Sequence, residues 1–429
     1  MRIVVIGAYG LLGGFVTARL LRDGHEIIGV GRDIAAAERR FPTVRWIAAD
    51  LRDTDPAAWT PLLADADAVV NCAGALQDSP RDDIQAVHLK TVSDLVAACT
   101  AGGPRRFVQI SAVGVERSGG PFGQTKNTAD KALRSSALDW VILRPGLVLA
   151  PAAYGGSALL RGLAAFPGFI PVLNPDSPVQ IVSVDDVADA VARSVLSSTA
   201  SQITCDLVAS DQTRLGDILL ALRGWLGLPP APLLAMPRWA GGLAAWAADR
   251  LAWLGWRSPM RTAAIEQLSA GVIGRSEEAL ERLGFKPQGL AETLARWPSG
   301  VQERWYARLY FLKPVALATL ATFWSVSGAI GLANHIAATR LLTDAGMAYG
   351  LATSFVVAGA LADIALGLLV CVRRTATLAL KGMILVTAAY LAGGTLWLPQ
   401  LWADPLGPLV KSVPAAVLAM AVLGMMDER

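Results

Sequence analysis

Three glycines, Gly7, Gly10 and Gly13, follow directly on the branched apolar run Ile3-Val4-Val5-Ile6. Such a run reads as a strand buried on both faces of a parallel sheet. The glycine turn then opens a helix. Gly7 permits the tight turn, Gly10 lets a pyrophosphate approach the backbone, and Gly13 lets helix pack close on strand, while the helix N-terminus attracts phosphate charge. Dinucleotide binding is the chemistry this turn supports, with Tyr9, Leu11 and Leu12 among its lining residues. Arg32 ends a second apolar strand. An arginine there can pair with the 2′-phosphate of NADP, whereas an acid would hydrogen-bond the ribose hydroxyls of NAD. NADP is therefore the expected cofactor, with NAD the alternative. Far downstream, Asp363 and Lys381 lie in apolar stretches, where an ionisable group is expensive and marks a functional site or a structural pair. Cys72, Cys99, Cys205 and Cys371 are scattered without metal-binding spacing, which fits a reduced compartment and predicts no metal site.

The elements that position these residues fall into two regimes. Across 429 residues, 53% are hydrophobic and only 17% charged, against a usual charged share of about 25%. The mean hydropathy is +0.44. A net charge of +3 gives no reason to expect nucleic acid. Strands are expected at Glu26 to Val30, Val44 to Ala49, Ala68 to Asn71 and Arg106 to Ser111, with a helix from Leu11 to Arg22 and another around Ile84 to Ala98, which carries His88. The chain enters its first buried strand at once, so no cleaved signal peptide is expected. From Pro314 onward the composition changes. Val315 to Ala333, Ala348 to Val372, Thr375 to Leu398 and Leu406 to Met426 each reach roughly the 20 residues needed to cross hydrocarbon as a helix. Arg304, Arg308 and Lys313 precede the first stretch and Arg373-Arg374 fill the second connection, so the positive-inside rule places the N-terminal domain in the cytoplasm. His335 falls at the outer end of the first stretch, where a quinone headgroup or proton could meet it. Between the two regimes, Trp239, Trp246 and Trp253 recur every seven residues in Arg238 to Arg257. Either this helix lies on the membrane surface or its stripe packs under the neighbouring domain.

The GxxGxxG spacing resembles the extended and atypical branches of the short-chain dehydrogenase/reductase superfamily, and further segments carry the likeness. Asn71-Cys72-Ala73-Gly74 looks like the family's N-A-G turn, which shields the cofactor. Asp139-Trp140-Val141-Ile142-Leu143-Arg144-Pro145-Gly146 is similar to its W-x-x-x-R-P-G strand, and Val182 to Ala188 to its V-x-D-V-A segment. The resemblance implies that Asp50 and Leu51 touch the adenine, that Cys72, Ala73 and Gly74 line the cofactor, and that Ser111 hydrogen-bonds a substrate carbonyl. Active members carry Tyr-x-x-x-Lys, in which the lysine lowers the tyrosine pKa and binds the nicotinamide ribose while the tyrosine acts as general acid. Here the segment reads Phe122-Gly123-Gln124-Thr125-Lys126. The lysine is present and the phenol is missing. Tyr154 is a candidate replacement acid. The likeness is nearest to the group containing the Rossmann-fold accessory subunit of respiratory complex I. Ala200 to Gly300 is expected to form a small cap, with a capped helix over Ser276 to Leu283 ending at Gly284. The apolar region, Ala362 to Leu368 above all, resembles DoxX-like membrane domains.

These readings predict a doubly wound, parallel-sheet Rossmann domain at 1–230, a cap or connecting segment at 231–305, and an all-α four-helix transmembrane bundle at 306–429. The expected protein is multi-pass in the cell inner membrane and contacts the lipid bilayer. It binds NAD(P) and reduces a quinone or another lipophilic substrate, with Ser111 and Lys126 as its catalytic pair. The alternative is a catalytically degenerate nucleotide-binding assembly or redox-sensor module that docks a membrane protein partner.

Overall fold

The computed structural model describes residues 1–79, 82–256, 258–262 and 271–427. It divides into two compact units, Met1–Asp249 with Ser258–Ala307, and Arg250–Arg257 with Arg308–Arg429.

The first unit is built on seven strands: β1 (Arg2–Ile6), β2 (Glu26–Gly31), β3 (Arg45–Ala48), β4 (Ala68–Asn71), β5 (Arg106–Ile110), β6 (Asp139–Pro145) and β7 (Ile203–Leu207). They pair in the order β7-β6-β5-β4-β1-β2-β3, all parallel. The order reverses between β1 and β4, and in open parallel sheets ligands bind at this point, outside the carboxyl ends of the strands. Ile6 pairs with Val30 on one side and Asn71 on the other, so the turns after β1, β2 and β4 share one edge. Alternate residues of β1 face opposite ways. Ile3 and Val5 pack with helices α1 (Leu11–Arg22) and Val184–Ser194, while Val4 and Ile6 pack with Trp59, Leu95 and Leu133 of the helices on the other face. Sheet strands buried this way read as continuous Val/Ile runs, which is why the sequence betrays them.

Strand β7 falls within the 1–230 expected for the Rossmann domain and also within Ala200 to Gly300, where the cap is expected to begin; it belongs to the sheet, because Ile203, Cys205 and Leu207 point into the same core as Val141 and Leu143. The cap is a third core of discontinuous pieces, including helices Gly155–Ala164, Leu215–Trp225 and Leu290–Arg296. Helix Glu277–Leu283 ends at Gly284 (φ +70°) as expected. Its Ser276 bonds the Glu277 carboxylate instead of capping the helix.

The second unit holds helix Val301–Ala333 from Arg308 onward, with helices His335–Asp344, Tyr349–Leu369, Arg373–Trp397 and Pro408–Gly424. Three are long and apolar enough to cross a membrane. The last, Pro408–Gly424, with 17 residues, spans about 25 Å, somewhat less than the roughly 30 Å of hydrocarbon. The first connection contains the helix His335–Asp344, and His335 Nδ1 donates to the Leu332 carbonyl at 2.9 Å. Small residues bring the long helices together: a Cβ on Gly328 would stand 2.5 Å from the Ala360 carbonyl oxygen, and one on Gly367 would strike Ser325 Oγ. Of the two structural readings of these residues, an Asp363–Lys381 pair or a Lys381 that snorkels to the membrane edge, the pair is not formed. Asp363 is buried and accepts a hydrogen bond from the Tyr390 hydroxyl at 2.8 Å, while Lys381 is exposed.

Candidate nucleotide and reaction site

Gly7 adopts φ +71°, a left-handed conformation that glycine reaches without steric cost. Its position against Ala73 is close: a Cβ there would lie 3.1 Å from the Ala73 amide nitrogen. Gly10 N–H donates to the Gly7 carbonyl at 2.9 Å, and Gly14 N–H to that of Gly10 at 2.8 Å, turning the chain into α1. A Cβ on Gly13 would sit 2.1 Å from the Gly7 oxygen. Leu12 turns inward to the core. The helix therefore starts directly over the strand end with its N–H groups at the switch point, and these residues fit a dinucleotide pyrophosphate.

Tyr9 crosses to the end of β2. Its hydroxyl accepts the backbone N–H groups of Arg32 and Asp33 at 3.2 and 3.1 Å. The ring fills the space above Gly31, where a Cβ would meet Tyr9 Cε1 at 2.1 Å. Arg32 Nη2 pairs with Asp82 at 2.9 Å. Asp50 is gripped by Arg52 through Nε and Nη2, which holds its carboxyl down to about 2, and Leu51 packs against the second core. Asp82 carries no sequence signal, since a lone loop aspartate has no periodicity to betray it.

The turn after β4 is fixed from below. Asn71 Nδ2 donates to Gln109 at 3.0 Å and its Oδ1 accepts from Ala73 N–H at 3.1 Å, so Cys72-Ala73-Gly74 is held against the glycine turn. Burial pushes the Cys72 thiol up to about 12, which leaves it unreactive.

Gly74, His88, Phe122 and Lys126 meet at the next strand end. Lys126, on helix Pro121–Arg134, donates to the Ile110 carbonyl at 3.0 Å, and its ammonium lies 5.9 Å from the Phe122 ring centre. A Cβ on Gly74 would lie 3.7 Å from Lys126 Nζ and 4.0 Å from His88 Nε2. Burial lowers the Lys126 ammonium to about 8, and Asp130 opposes that shift. His88 packs edge-on against Phe122 at 5.5 Å, accepts from Ala75 N–H at 3.2 Å through Nε2, and shares a 2.8 Å hydrogen bond between Nδ1 and Thr125 Oγ1. Thr125 in turn donates to the Pro121 carbonyl, so the proton belongs on Nδ1. The histidine is a neutral strut. It stands in a π-helical segment, Gln85–Lys90, a form common at functional sites.

Burial first, and Lys126 second, push His88 down to about 2. An unfolded chain takes up that proton near 6.5, so between pH 6.5 and 2 the unfolded state binds more protons and stability falls with falling pH. Thermal melts of the detergent-purified protein are expected to drop through this window on acidification, and less steeply for His88→Asn.

Ser111 is committed elsewhere. Its hydroxyl donates at 2.8 Å to Asp130, which is fully buried and also takes Arg144 Nη2 at 3.1 Å; Arg144 reaches on to Glu116 at 2.9 Å. Burial raises the Asp130 carboxyl, with Arg144, Ser111 and Lys126 pulling the other way. Asp130 escaped the sequence reading, although it follows Lys126 by four residues, one helical turn along the same face. Tyr154 stands exposed before helix Gly155–Ala164 and takes no part in these contacts.

Sheet order, glycine turn and strand-end residues define a Rossmann domain of the kind that holds a dinucleotide. Residues 7–197 match the family described as NAD(P)H-binding, and residues 321–420 match the DoxX-like family. The chain thus joins an NAD(P)H-binding-like domain to a DoxX-like domain, and with its apolar helices this points to a membrane protein. An uncharacterised protein of Mycobacterium tuberculosis is 28% identical over 235 residues, 54% of this chain and 24% of that protein. The chain therefore spans about a quarter of the length of these first curated relatives. A 3-diazoavenalumate denitrifying reductase of a Streptomyces species is 27% identical, covering 67% of this chain and 96% of the reductase. Among solved structures, the Escherichia coli NADPH-dependent quinone oxidoreductase with NADPH shares the fold at TM-score 0.54 and 19% identity, over 68% of this chain and 99% of its own. The Thermotoga maritima UDP-glucose 4-epimerase shares it at 0.53 and 16%, over 69% and 98%.

Proposed function

We propose that this protein binds NADP(H) and reduces a quinone or similar lipophilic acceptor at the cytoplasmic face of the inner membrane. The observation that carries this reading is the apolar Phe122 ring beside a buried Lys126, at the strand ends next to the glycine turn. Reduced nicotinamide, when bound, supplies a hydride. A quinone accepting it needs one proton to become a hydroquinone and needs no phenol from the protein. Lys126 Nζ, lowered to about 8, is the group here that can hold that proton near neutral pH. Phe122 and the neutral His88 wall the site with apolar surface suited to a flat ring. The likeness to a quinone oxidoreductase and to a denitrifying reductase supports the reaction class. The basic residues flanking the apolar helices, Arg304, Arg308, Lys313, Arg373 and Arg374, support the orientation.

The test is nicotinamide fluorescence of the detergent-purified protein loaded with NADPH and then given a short-chain quinone. Quinone-dependent loss of signal, declining above pH 8 and abolished by Lys126→Ala, is the expected result. Bound NADPH that stays unoxidised favours a second reading, a nucleotide-binding module docking a membrane partner. The commitment of Ser111 to Asp130 speaks for that module, because the serine hydroxyl then has no proton to offer a substrate.

The choice of NADP rests on Arg32, whose guanidinium is shared with Asp82. A 2′-phosphate must compete with that carboxylate. Partly exposed pairs of this kind are worth about 0.2–1 kcal/mol. Asp82→Asn is therefore expected to tighten NADPH relative to NADH by up to about fivefold in Kd, measured by fluorescence titration. An unchanged ratio would detach Arg32 from cofactor choice.

A further inference from the structure

The helix Arg238–Trp253 is amphipathic in an unusual sense, with its bulky residues outside and its small residues inside. Trp239, Leu243, Trp246 and Trp253 are 72%, 59%, 56% and 75% exposed. Ala245, Ala248 and Ala252 are buried on the other side, as is Gly241, where a Cβ would meet Leu173 Cδ1 at 2.5 Å. At about 100° per residue the four large side chains fall within roughly 80° of arc. The tryptophans therefore do not pack under the cap, and Arg257, the expected end of this helix, lies outside the described residues.

What covers this face is indicated by where the helix ends. Its last turn and the residues after it belong to the second unit. Trp256 donates through Nε1 to the Cys371 carbonyl at 2.6 Å and lies under the Arg373 guanidinium, whose carbon is 5.7 Å from the ring centre. Arg373 N–H donates to the Leu254 carbonyl at 2.9 Å. Cys371 and Arg373 form the short connection between the apolar helices Tyr349–Leu369 and Arg373–Trp397. The connection between two membrane-crossing helices sits at the membrane–water boundary, so the C-terminal end of the tryptophan helix is pinned at that depth. Tryptophan prefers this layer, where its ring meets acyl chains and its N–H meets headgroups, and Arg238 at the start of the helix suits phosphate-bearing lipids.

We infer that helix Arg238–Trp253 lies on the bilayer surface, with its tryptophan face in the lipid headgroup layer. It is a second membrane contact of the chain, separate from the crossing helices. The inference needs the membrane reading of the second unit and is independent of the nucleotide chemistry.

The experiment uses the full chain in nanodiscs of phosphatidylethanolamine and phosphatidylglycerol. A nitroxide is placed by Leu243→Cys, or separately by Trp246→Cys, on a Cys371→Ser background, with Arg22→Cys as a control on the exposed end of α1. Collision with oxygen, which partitions into lipid, is compared with collision with a water-soluble nickel chelate. The expected result is an oxygen-to-nickel ratio severalfold above the control at both helix positions. Equal ratios would overturn the inference, and so would labels shielded from both reagents, which would mean that protein covers the face. Failure of NADPH oxidation would leave this result unaffected. Leu243 is exposed, so that variant carries the test should Trp246→Cys misfold.

Discussion

Gly13→Val is expected to abolish dinucleotide binding and to lower the melting temperature by several degrees. The atoms in the way are the Gly7 carbonyl oxygen at 2.1 Å, the Gly7 carbonyl carbon at 2.8 Å and Ala8 Cα at 3.0 Å from the position of the new Cβ. All are backbone, so no side-chain rotation relieves the clash, and α1 must move off β1. Overpacking of this kind costs about 1–3 kcal/mol or more. The same displacement removes the helix N-terminus from the pyrophosphate position and so acts on binding as well as on stability. Gly24→Ala is the control. Gly24 also has a left-handed φ of +79°, yet nothing lies within 4 Å of its added Cβ. It should lose about 1 kcal/mol of stability and keep nucleotide binding. The measurement is NADPH fluorescence titration beside thermal melts, and a Gly13→Val protein that binds like wild type would refute this account of the turn.

Asp130→Ala is expected to be the more destabilising change, by about 3–5 kcal/mol. The carboxylate is fully buried and receives Ser111 and Arg144 together. Its removal leaves the buried guanidinium of Arg144 with only the half-exposed Glu116, and takes from Ser111 its acceptor. Removing one partner of a buried pair costs more than the pair itself contributes, because a desolvated charge remains. Lys126 also loses the neighbour that opposes its shift, so its ammonium should fall further below about 8. Thermal melts measure the first effect, and the pH dependence of NADPH oxidation measures the second. A protein that tolerates Asp130→Ala with an unmoved pH profile would show that the network carries neither stability nor charge control. Asp130→Asn keeps an acceptor for Ser111 and separates the hydrogen bond from the charge.

Much of this molecule could be read from the chain because the relevant signals are local. Strand β1 and the turn to α1 occupy consecutive residues, and the unbroken apolar run Ile3, Val4, Val5 and Ile6, buried on both faces, needs no partner to be recognised. The Lys126 position and the Arg144 strand also sit in short motifs. The apolar helices are visible because hydrocarbon imposes a length. Strand β7 was not singled out, since the alternation of Ile203, Cys205 and Leu207 with Thr204 and Asp206 suits any half-buried strand, and only the pairing with β6 assigns it to the main sheet.

The sequence by itself determined the order of the elements, the glycine cradle, the absence of a phenol at Phe122 and the apolar character of the last third. Tertiary structure alone decided which side chains meet. Ser111 and Asp130 are 19 residues apart, and only the packing of helix Pro121–Arg134 across β5 closes their hydrogen bond. The sequence offered Lys381 as a partner for Asp363, whereas Tyr390, nine residues further along the same helix, takes that place. Nine residues at about 100° each put those two on opposite faces, so the orientation that brings Tyr390 to Asp363 turns Lys381 outward. Tryptophan and alanine are both apolar, so composition could not say which face of Arg238–Trp253 is buried. Close packing decides it: only the small side chains fit against Leu173 and its neighbours, and the tryptophans are left outside.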